Sequence, residues 1–321
     1  MIRYFVHRDG QTSTAEVLDP AWLVPGSGTY VWADVAEPTA ADGVLLHDVF
    51  GIHQLAVEDA LSESHHPKVE AYDDLLYVVL HGINFHASEH AFDTHDTDFF
   101  VTGQFLVTVH DGKRRSIAHV LDLCGKSGHI LAEGPVALMH RIVDTMVDHY
   151  HPEVNSLEEW LDDLERQVLE MPKVNMMGDI LAVKRDIRSL RRIVTPQRDV
   201  MGRLSRREFD LISQELAYRF RDVYDQLVRL ADDAMIFQDR VSGILDAHLA
   251  GVSIRLAQTS KLIAVVATLF GPLTVLTGIY GMNVPLPHLP GGPEAQFWWV
   301  LALMAGSSLA MFAWFRRSGW W

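Results

Sequence analysis

The sequence predicts an α/β domain with a mixed sheet, followed by long stalk helices and two C-terminal transmembrane helices. Three observations carry this reading. The run Leu262 to Tyr280 is uncharged over 19 positions, enough at about 1.5 Å per residue to cross a hydrocarbon core of about 30 Å, and a second uncharged run spans Ala295 to Phe315. Leu216, Phe220, Val223, Leu227, Leu230, Ala234, Phe237, Val241 and Ile244 recur at alternating spacings of four and three, a heptad seam without a gap. Short β-rich runs alternate with turn signals in the first part of the chain, as strands of a half-buried sheet do.

Residues 1–135 hold the α/β domain. Its strand signals are Tyr30 to Ala33, Leu75 to Leu80, Asp98 to Val101 and Phe105 to Val109, with a hairpin turn at Val101 to Phe105 and helical spacing over Asp42 to Phe50 and His53 to Leu61. Pro25-Gly26-Ser27-Gly28 is not followed by the Lys-Ser/Thr of a phosphate loop, and reads as a turn. Residues 136–256 are helical. An acidic amphipathic helix is predicted from Val136 to about Met171, where Met171-Pro172 ends it. A basic one, with Lys184, Arg185, Arg188, Arg191 and Arg192, runs from about Met177 to Val194 and is closed by Pro196. The third carries the heptad seam and has no Pro between Ser205 and Gly271, so a continuous helix from Arg206 to Tyr280 is predicted, about 110 Å long. A helix of that length with one apolar stripe needs partners. The helical hairpin supplies two, and other copies of the chain must supply the rest, because two spans cannot enclose a pore. Residues 257–321 form the transmembrane domain, with a first span at about 262–280, an outer loop at 281–294 and an antiparallel second span at about 295–315.

Charge divides the chain in the same way. All but three basic residues (Lys261, Arg316, Arg317) and one acidic residue (Glu294) precede position 257, so the first 256 residues hold 24 Lys and Arg against 41 Asp and Glu, a net of −17, and the remainder is +2. So acidic a body disfavours nucleic acid and favours cations as partners. Arg255 and Lys261 precede the first span, Arg316 and Arg317 follow the second, and the loop between them lacks Lys and Arg. The positive-inside rule then places both termini in the cytoplasm. Trp298, Trp299, Trp314, Trp320 and Trp321 fall where interfacial aromatic belts belong. The N-terminal stretch lacks an apolar core, so no signal peptide is expected. The single Cys124 excludes an intramolecular disulfide.

Catalytic motifs are missing: the sequence has no nucleophile elbow, Walker loop, HExxH or CxxC pair, and an enzyme is not expected. His81, His86, His90 and His95, interleaved with Asp93, Asp96 and Asp98, read as a solvated hairpin, with a weak metal contact as the alternative; His65-His66-Pro67 reads as a turn. The polar tip Tyr280-Gly281-Met282-Asn283 offers more chemistry. It follows a span in which Thr274 and Gly278 share a face. Repeated around a symmetric ring, Gly281 lets backbones crowd the axis, while Asn283 and main-chain carbonyls offer a collar of neutral oxygens suited to Mg²⁺ held through its hydration shell.

The stretch GIYGMN at the end of the first span resembles the signature of the CorA family of divalent-cation transporters. Phe220 to Ser253 resembles that family's stalk helix, and FGIHQLAVEDAL (Phe50 to Leu61) with HPKVEAYDDLLYVVL (His66 to Leu80) resembles its N-terminal domain. The resemblance implies a funnel-shaped homopentamer in a bacterial inner membrane, with a pore lined by the first span. It implies a selectivity filter at Tyr280, Gly281, Met282 and Asn283, and a pore lining at Ile263, Ala267, Gly271, Thr274 and Gly278. It also implies a regulatory metal site between subunits at Asp59 and Asp222, with Glu58 and Asp144 nearby. Without the resemblance, Asp222 reads as part of a solvated helix face with Arg221 and Asp225. Three departures bear on the ion and the gate: Ala257 stands where many relatives have Asn, Gly271 where a bulky apolar gate residue is common, and the loop VPLPHLPGGPEAQ lacks the Met-Pro-Glu-Leu run of many magnesium-transporting members. Its HLPGG resembles the zinc-transporting branch and leaves Glu294 as the outer acidic attractor. The expected function is Mg²⁺ influx gated by cytoplasmic Mg²⁺. A Zn²⁺, Co²⁺ or Ni²⁺ transporter of the same fold is the nearest alternative, and a membrane-anchored coiled-coil scaffold the more distant one.

Overall fold

The computed structural model describes residues 2–62, 66–86, 91–112, 115–126, 129–170, 176–282 and 290–319. The chain divides into two compact units, Met1–Leu245 and Asp246–Trp321, and the boundary falls within one long helix. In the first unit β1 (Ile2–Arg8), β2 (Gln11–Ala15), β3 (Tyr30–Ala36), β4 (Lys68–Tyr72), β5 (Leu75–His86), β6 (Ala91–Val101) and β7 (Phe105–His110) form one sheet in the order β2-β1-β3-β7-β6-β5-β4. Neighbours are antiparallel except β3 and β7, which run parallel with Val31 opposite Phe105, so the sheet is mixed as predicted. At the β6–β7 turn the Thr102 hydroxyl accepts from the amides of Gln104 and Phe105 at 3.2 and 3.1 Å, which closes the hairpin read from the sequence.

The helices are α1 (Ala40–Asp48), α2 (Gln54–Ala60), α3 (Arg115–Lys126), α4 (Pro135–Asp148), α5 (Tyr150–Glu170), α6 (Met177–Ser205), α7 (Gln214–Tyr280) and α8 (Pro293–Arg317). A capping box starts α1: Thr39 Oγ1 accepts from the Asp42 amide and Asp42 accepts from the Thr39 amide. Period-two alternation sends one set of strand residues (Ala33, Tyr77, Val79, Phe100, Val107) into a core with Leu46, Phe50 and Val57 around α1 and α2. The other set (Trp32, Leu76, Val78, Phe99, Leu106) packs in a core shared with α3 to α6 and the start of α7. The heptad seam holds: Phe220, Val223, Leu227, Leu230, Ala234, Phe237, Val241 and Ile244 are all buried, and Leu216 packs against the same core.

Three helix boundaries differ from those expected. The acidic helix is two helices, α4 and α5, divided at His149. Helix α6 does not stop at Pro196 but carries it internally and continues to Ser205. A proline there costs one backbone hydrogen bond and strains a turn, and the burial of Val194, Gln197, Val200, Met201 and Leu204 offsets that cost. Helix α7 begins at Gln214 rather than Arg206; Arg207 has φ +57°, a left-handed conformation that no helix continues through.

Two buried polar networks went unread. Strand β4 pairs with β5 only up to Lys68 opposite Val79, so the outward edge groups of His81 lack a neighbouring strand. Two helices supply the partners: the Gln197 Oε1 accepts from the His81 amide at 3.1 Å, the Tyr150 hydroxyl donates to the His81 carbonyl at 2.5 Å, and Gln197 Nε2 donates to the Tyr150 oxygen at 2.6 Å. Tyr150 and Gln197 are both buried. Gln197→Leu orphans the His81 amide and a phenol lone pair, each worth about 1–3 kcal/mol when buried without a partner. The midpoint of thermal unfolding of the first unit is expected to fall by about 5–10 °C. A fall under 2 °C would show that the ring is not needed to seal the sheet edge. In the second network, Trp32 Nε1 donates to Thr108 Oγ1 at 3.1 Å and the Thr108 hydroxyl donates to Asp34 at 2.7 Å. The Gly112 amide donates to His110 Nδ1, leaving His110 Nε2 to carry the proton toward Asp34 at 3.1 Å.

The second unit contains the C-terminal part of α7 and α8, both long and apolar enough to cross a membrane. Within the apolar run of α7 the hydroxyls of Thr268, Thr274 and Thr277 donate to the carbonyls of Ala264, Phe270 and Leu273, so their polarity is satisfied inside the helix. Pro272 lies inside this run and cannot donate to the Thr268 carbonyl.

Candidate cation path and carboxylate cluster

The residues predicted to line a pore occupy one stripe. Ile263, Ala267, Gly271, Thr274, Gly278 and Gly281 are all exposed, at helical spacings of three and four. The less exposed positions of the same segment are Ala264, Val265, Leu269, Pro272, Leu273, Leu276 and Tyr280. At about 100° per residue the bulky members of this set, Val265, Leu269, Leu273, Leu276 and Tyr280, lie on the side of the helix opposite the predicted pore stripe. From Ala267 onward the predicted pore stripe holds small residues and Thr274, and bulky residues that are also exposed, Phe270, Val275 and Ile279, flank it. At its end the Gly281 amide donates to the Thr277 carbonyl at 2.9 Å and the Met282 amide to the Ile279 carbonyl at 3.3 Å. A Cβ on Gly281 would lie 2.9 Å from that same Thr277 oxygen, closer than such atoms approach. Tyr280 closes the helix, and Met282 is exposed. Asn283, the fourth predicted filter residue, lies outside the described residues, as do His65, His90, Trp320 and Trp321. Glu294 sits in the first turn of α8, its side chain likewise outside the description. Trp299 Nε1 donates to the Pro290 carbonyl at 3.0 Å, tying the end of the loop to α8.

The predicted regulatory residues fall into two groups in the first unit. Glu58 and Asp59 sit on α2, where Glu58 accepts from Gln54 Nε2 at 2.9 Å. Asp59 pairs with Lys68 at the start of the edge strand β4, which also reaches Glu70. Partial burial works against the Lys68 charge, yet the hydrogen bonds to Asp59 and Glu70 hold its ammonium above its ordinary pKa. The second group joins α4 to α7. Burial raises the pKa of Asp144, and the charges of Asp148 and Asp222 raise it further against the opposing pull of His140 and Arg141. Arg219, one turn before Asp222, donates to Glu133 at 2.6 Å and to Glu215 at 2.8 Å, which anchors this end of α7. Asp144 and Asp222 are thus brought together as mutually repelling carboxylates, with Asp148 as a third that sequence reasoning missed; its signal was the four-residue spacing from Asp144 on one helix face. Lys68 and Glu70 were also missed. Among the described residues no group of three or more His, Cys, Asp or Glu side chains within the chain is arranged to hold a metal ion.

The hairpin expected of the His–Asp cluster forms between β5 and β6, but its described base is buried rather than solvated. His81 and Asp96 are register partners on adjacent strands, 3.3 Å apart, and Asp98 is buried and accepts from the Tyr77 hydroxyl at 2.6 Å. With Thr94, His110 and Asp111 they line a polar cavity of about 470 Å³.

The sequence matches the family described as CorA-like Mg2+ transporter protein over residues 27–317. The chain belongs to the CorA family. It is 30% identical over 306 residues to the cobalt/magnesium transport protein CorA of Thermotoga maritima, covering 92% of this chain and 84% of that protein. It is 27% identical over 271 residues to the zinc transport protein ZntB of Pectobacterium carotovorum, covering 83% and 80%. The complete structure of the CorA magnesium transporter from Methanocaldococcus jannaschii superposes with a TM-score of 0.84 at 22% identity, covering 100% of this chain and 99% of that one. The fold is therefore that of a full-length CorA chain: a mixed-sheet N-terminal domain, a long helix and a C-terminal apolar helix. The family is one of divalent-cation transporters rather than enzymes, and the two apolar helices fit a place in the membrane.

Proposed function

We propose that this CorA-family chain assembles as a homopentamer, both termini cytoplasmic, and conducts Mg²⁺ inward down the membrane potential. The observation that carries the proposal is the division of the first span. Gly271, Thr274, Gly278 and Gly281 give it one small and polar face, while Phe270, Val275 and Ile279, equally exposed in the single chain, put bulky apolar side chains beside that face; a lipid-facing tether would need only the bulky apolar ones. Around a five-fold axis this stripe lines the pore, with Ile263 and Ala267 as its apolar constriction. Tyr280, Gly281, Met282 and Asn283 form the outer filter, whose neutral oxygens hold a hydrated Mg²⁺, and Glu294 attracts cations to the mouth. No ATP is required, because two charges crossing 100 mV release about 4.6 kcal/mol.

The gate is set by internal Mg²⁺. Asp59 and Glu58 of one copy meet Asp222 and Asp144 of the next, and an ion bridging these carboxylates clamps the stalks together. Two facts support this. Burial is the main cause of the raised Asp144 pKa, and the charges of Asp148 and Asp222 add a repulsion that a dication relieves. The described residues of one chain do not assemble a metal site, which suits a site completed by a neighbour. Oxygen ligands favour Mg²⁺, while the relatedness to a zinc transport protein and the HLPGG loop favour Zn²⁺ as the second reading.

The test is uptake into proteoliposomes with an inside-negative potential. Mg²⁺ should enter without ATP, Co²⁺ and Ni²⁺ should compete, and Asn283→Ala should lower uptake at least about tenfold, the effect of losing about 1.4 kcal/mol at the filter. Uptake of Zn²⁺ in preference to Mg²⁺ would favour the second reading. Unchanged uptake in Asn283→Ala would remove the filter role.

A further inference from the structure

The Asp59 carboxylate already holds a cation, and it belongs to the chain itself. Lys68 Nζ lies 2.5 Å from Asp59 Oδ2 and 3.2 Å from Glu70 Oε2. The same ammonium stands 4.9 Å from the centroid of the Tyr77 ring. None of the three walls is loose. Asp59 is carried on α2. Glu70 is steadied by the Tyr72 hydroxyl, which donates to its Oε2 at 3.0 Å. Tyr77 is buried, its ring stacked on Phe100 at 4.6 Å and its hydroxyl donating to Asp98, so its face stays turned to the ammonium. Two carboxylates and an aromatic face around one ammonium make a cation cage.

We propose that Lys68 is a built-in competitor for the divalent cation at Asp59, and that Glu70 and the Tyr77 face form the second seat that keeps the ammonium when the dication takes Asp59. The inference rests on Asp59 being a regulatory carboxylate. The physical argument is one of charge and tethering. A dication attracts Asp59 about twice as strongly as an ammonium at the same distance. A monovalent ion from solution has no such advantage, and it faces an ammonium whose tether gives it a millimolar or higher effective concentration. Lys68 therefore excludes monovalent ions from Asp59 and raises the divalent concentration at which the clamp closes. Its β4 position fixes the reach: the ammonium moves between Asp59 and Glu70 without leaving the cage and keeps its charge in both seats.

The test uses the full chain in detergent micelles and reads the Mg²⁺ concentration giving half of the Mg²⁺-induced rise in thermal midpoint, which reports binding rather than transport. Lys68→Gln is expected to lower that concentration roughly fivefold, the factor matching about 1 kcal/mol for a partly exposed pair. Lys68→Arg, which keeps the charge, should stay within about twofold of the parent by the same scale. Lys126→Gln removes a charge from an exposed pair with Asp122 elsewhere on the unit and should change nothing. An unchanged Lys68→Gln chain, or a shift that Lys126→Gln reproduces, would overturn the proposal. Asp59→Asn separates the two readings. If it raises the half-effect concentration while Lys68→Gln is silent, the carboxylate role stands and the lysine role falls; if Asp59→Asn is itself silent, both fall.

Discussion

Gly281→Ala is expected to lower Mg²⁺ uptake by about 10- to 100-fold, because overpacking at a site that cannot relax costs about 1–3 kcal/mol and each 1.4 kcal/mol is a factor of ten. The added Cβ would stand 2.9 Å from the Thr277 carbonyl oxygen, the same oxygen that accepts the Gly281 amide. Relief requires the last turn of α7 to open, and that turn sets where Met282 and the proposed filter begin. Gly278→Ala is the informative contrast, since within one chain a Cβ there meets nothing within 4 Å. If Gly278→Ala also abolishes uptake, the crowding comes from neighbouring copies on the shared axis. Neither change should move the thermal midpoint of the first unit, as both residues belong to the second. Parent-level uptake from Gly281→Ala would show that the end of α7 does not shape the filter.

How much of this was legible depended on the range of the interaction that forms each feature. The seam from Leu216 to Ile244 was readable because helical periodicity writes a buried face directly into the residue order, and the structure buries it. Strands β3, β5 and β7 were readable as apolar runs. The β1–β2 hairpin was not, because Gln11 to Ala15 has no apolar alternation to reveal it. Pro196 was misread through a local rule: it does weaken its helix, but Val200, Met201 and Leu204 beyond it have a core to enter, and tertiary burial prevailed. The polar networks were further out of reach. Asp34 and His110 meet through the parallel pairing of β3 with β7, across 76 positions. Their one sequence signal was a polar residue inside an apolar run, YVWADVA and FLVTVH, which says that a partner exists without saying where. The filter motif was read from resemblance, while the Lys68–Asp59–Glu70 cage required a helix and a strand to be placed side by side.

Asp222→Ala is expected to erase the stabilisation that Mg²⁺ gives the chain. One bound ion per chain at a hundredfold excess over its dissociation constant contributes about 2.7 kcal/mol, a rise of about 5–10 °C in the thermal midpoint of a unit of this size. Asp144→Asn should have a two-sided effect that a purely structural residue would not show. The pKa of Asp144 is raised first by burial and then by Asp148 and Asp222, so its ionised form opposes folding. A group of this kind contributes its stability in full below the ordinary carboxylate range and loses it as pH rises through the raised value. At neutral pH without divalent ions, Asp144→Asn removes that repulsion, and its midpoint should lie above the parent's. With Mg²⁺ the order should reverse, because the parent gains an ion whose positive charge restores the ionised carboxylate to favour, and the variant has given up one of its ligands. Scans in EDTA and in excess Mg²⁺, run beside uptake into vesicles loaded with internal Mg²⁺, decide the matter. A parent-sized Mg²⁺ rise in Asp222→Ala, or full inhibition of its uptake by internal Mg²⁺, would detach the carboxylate cluster from the gate and leave Asp222 as one charge on a solvated helix face.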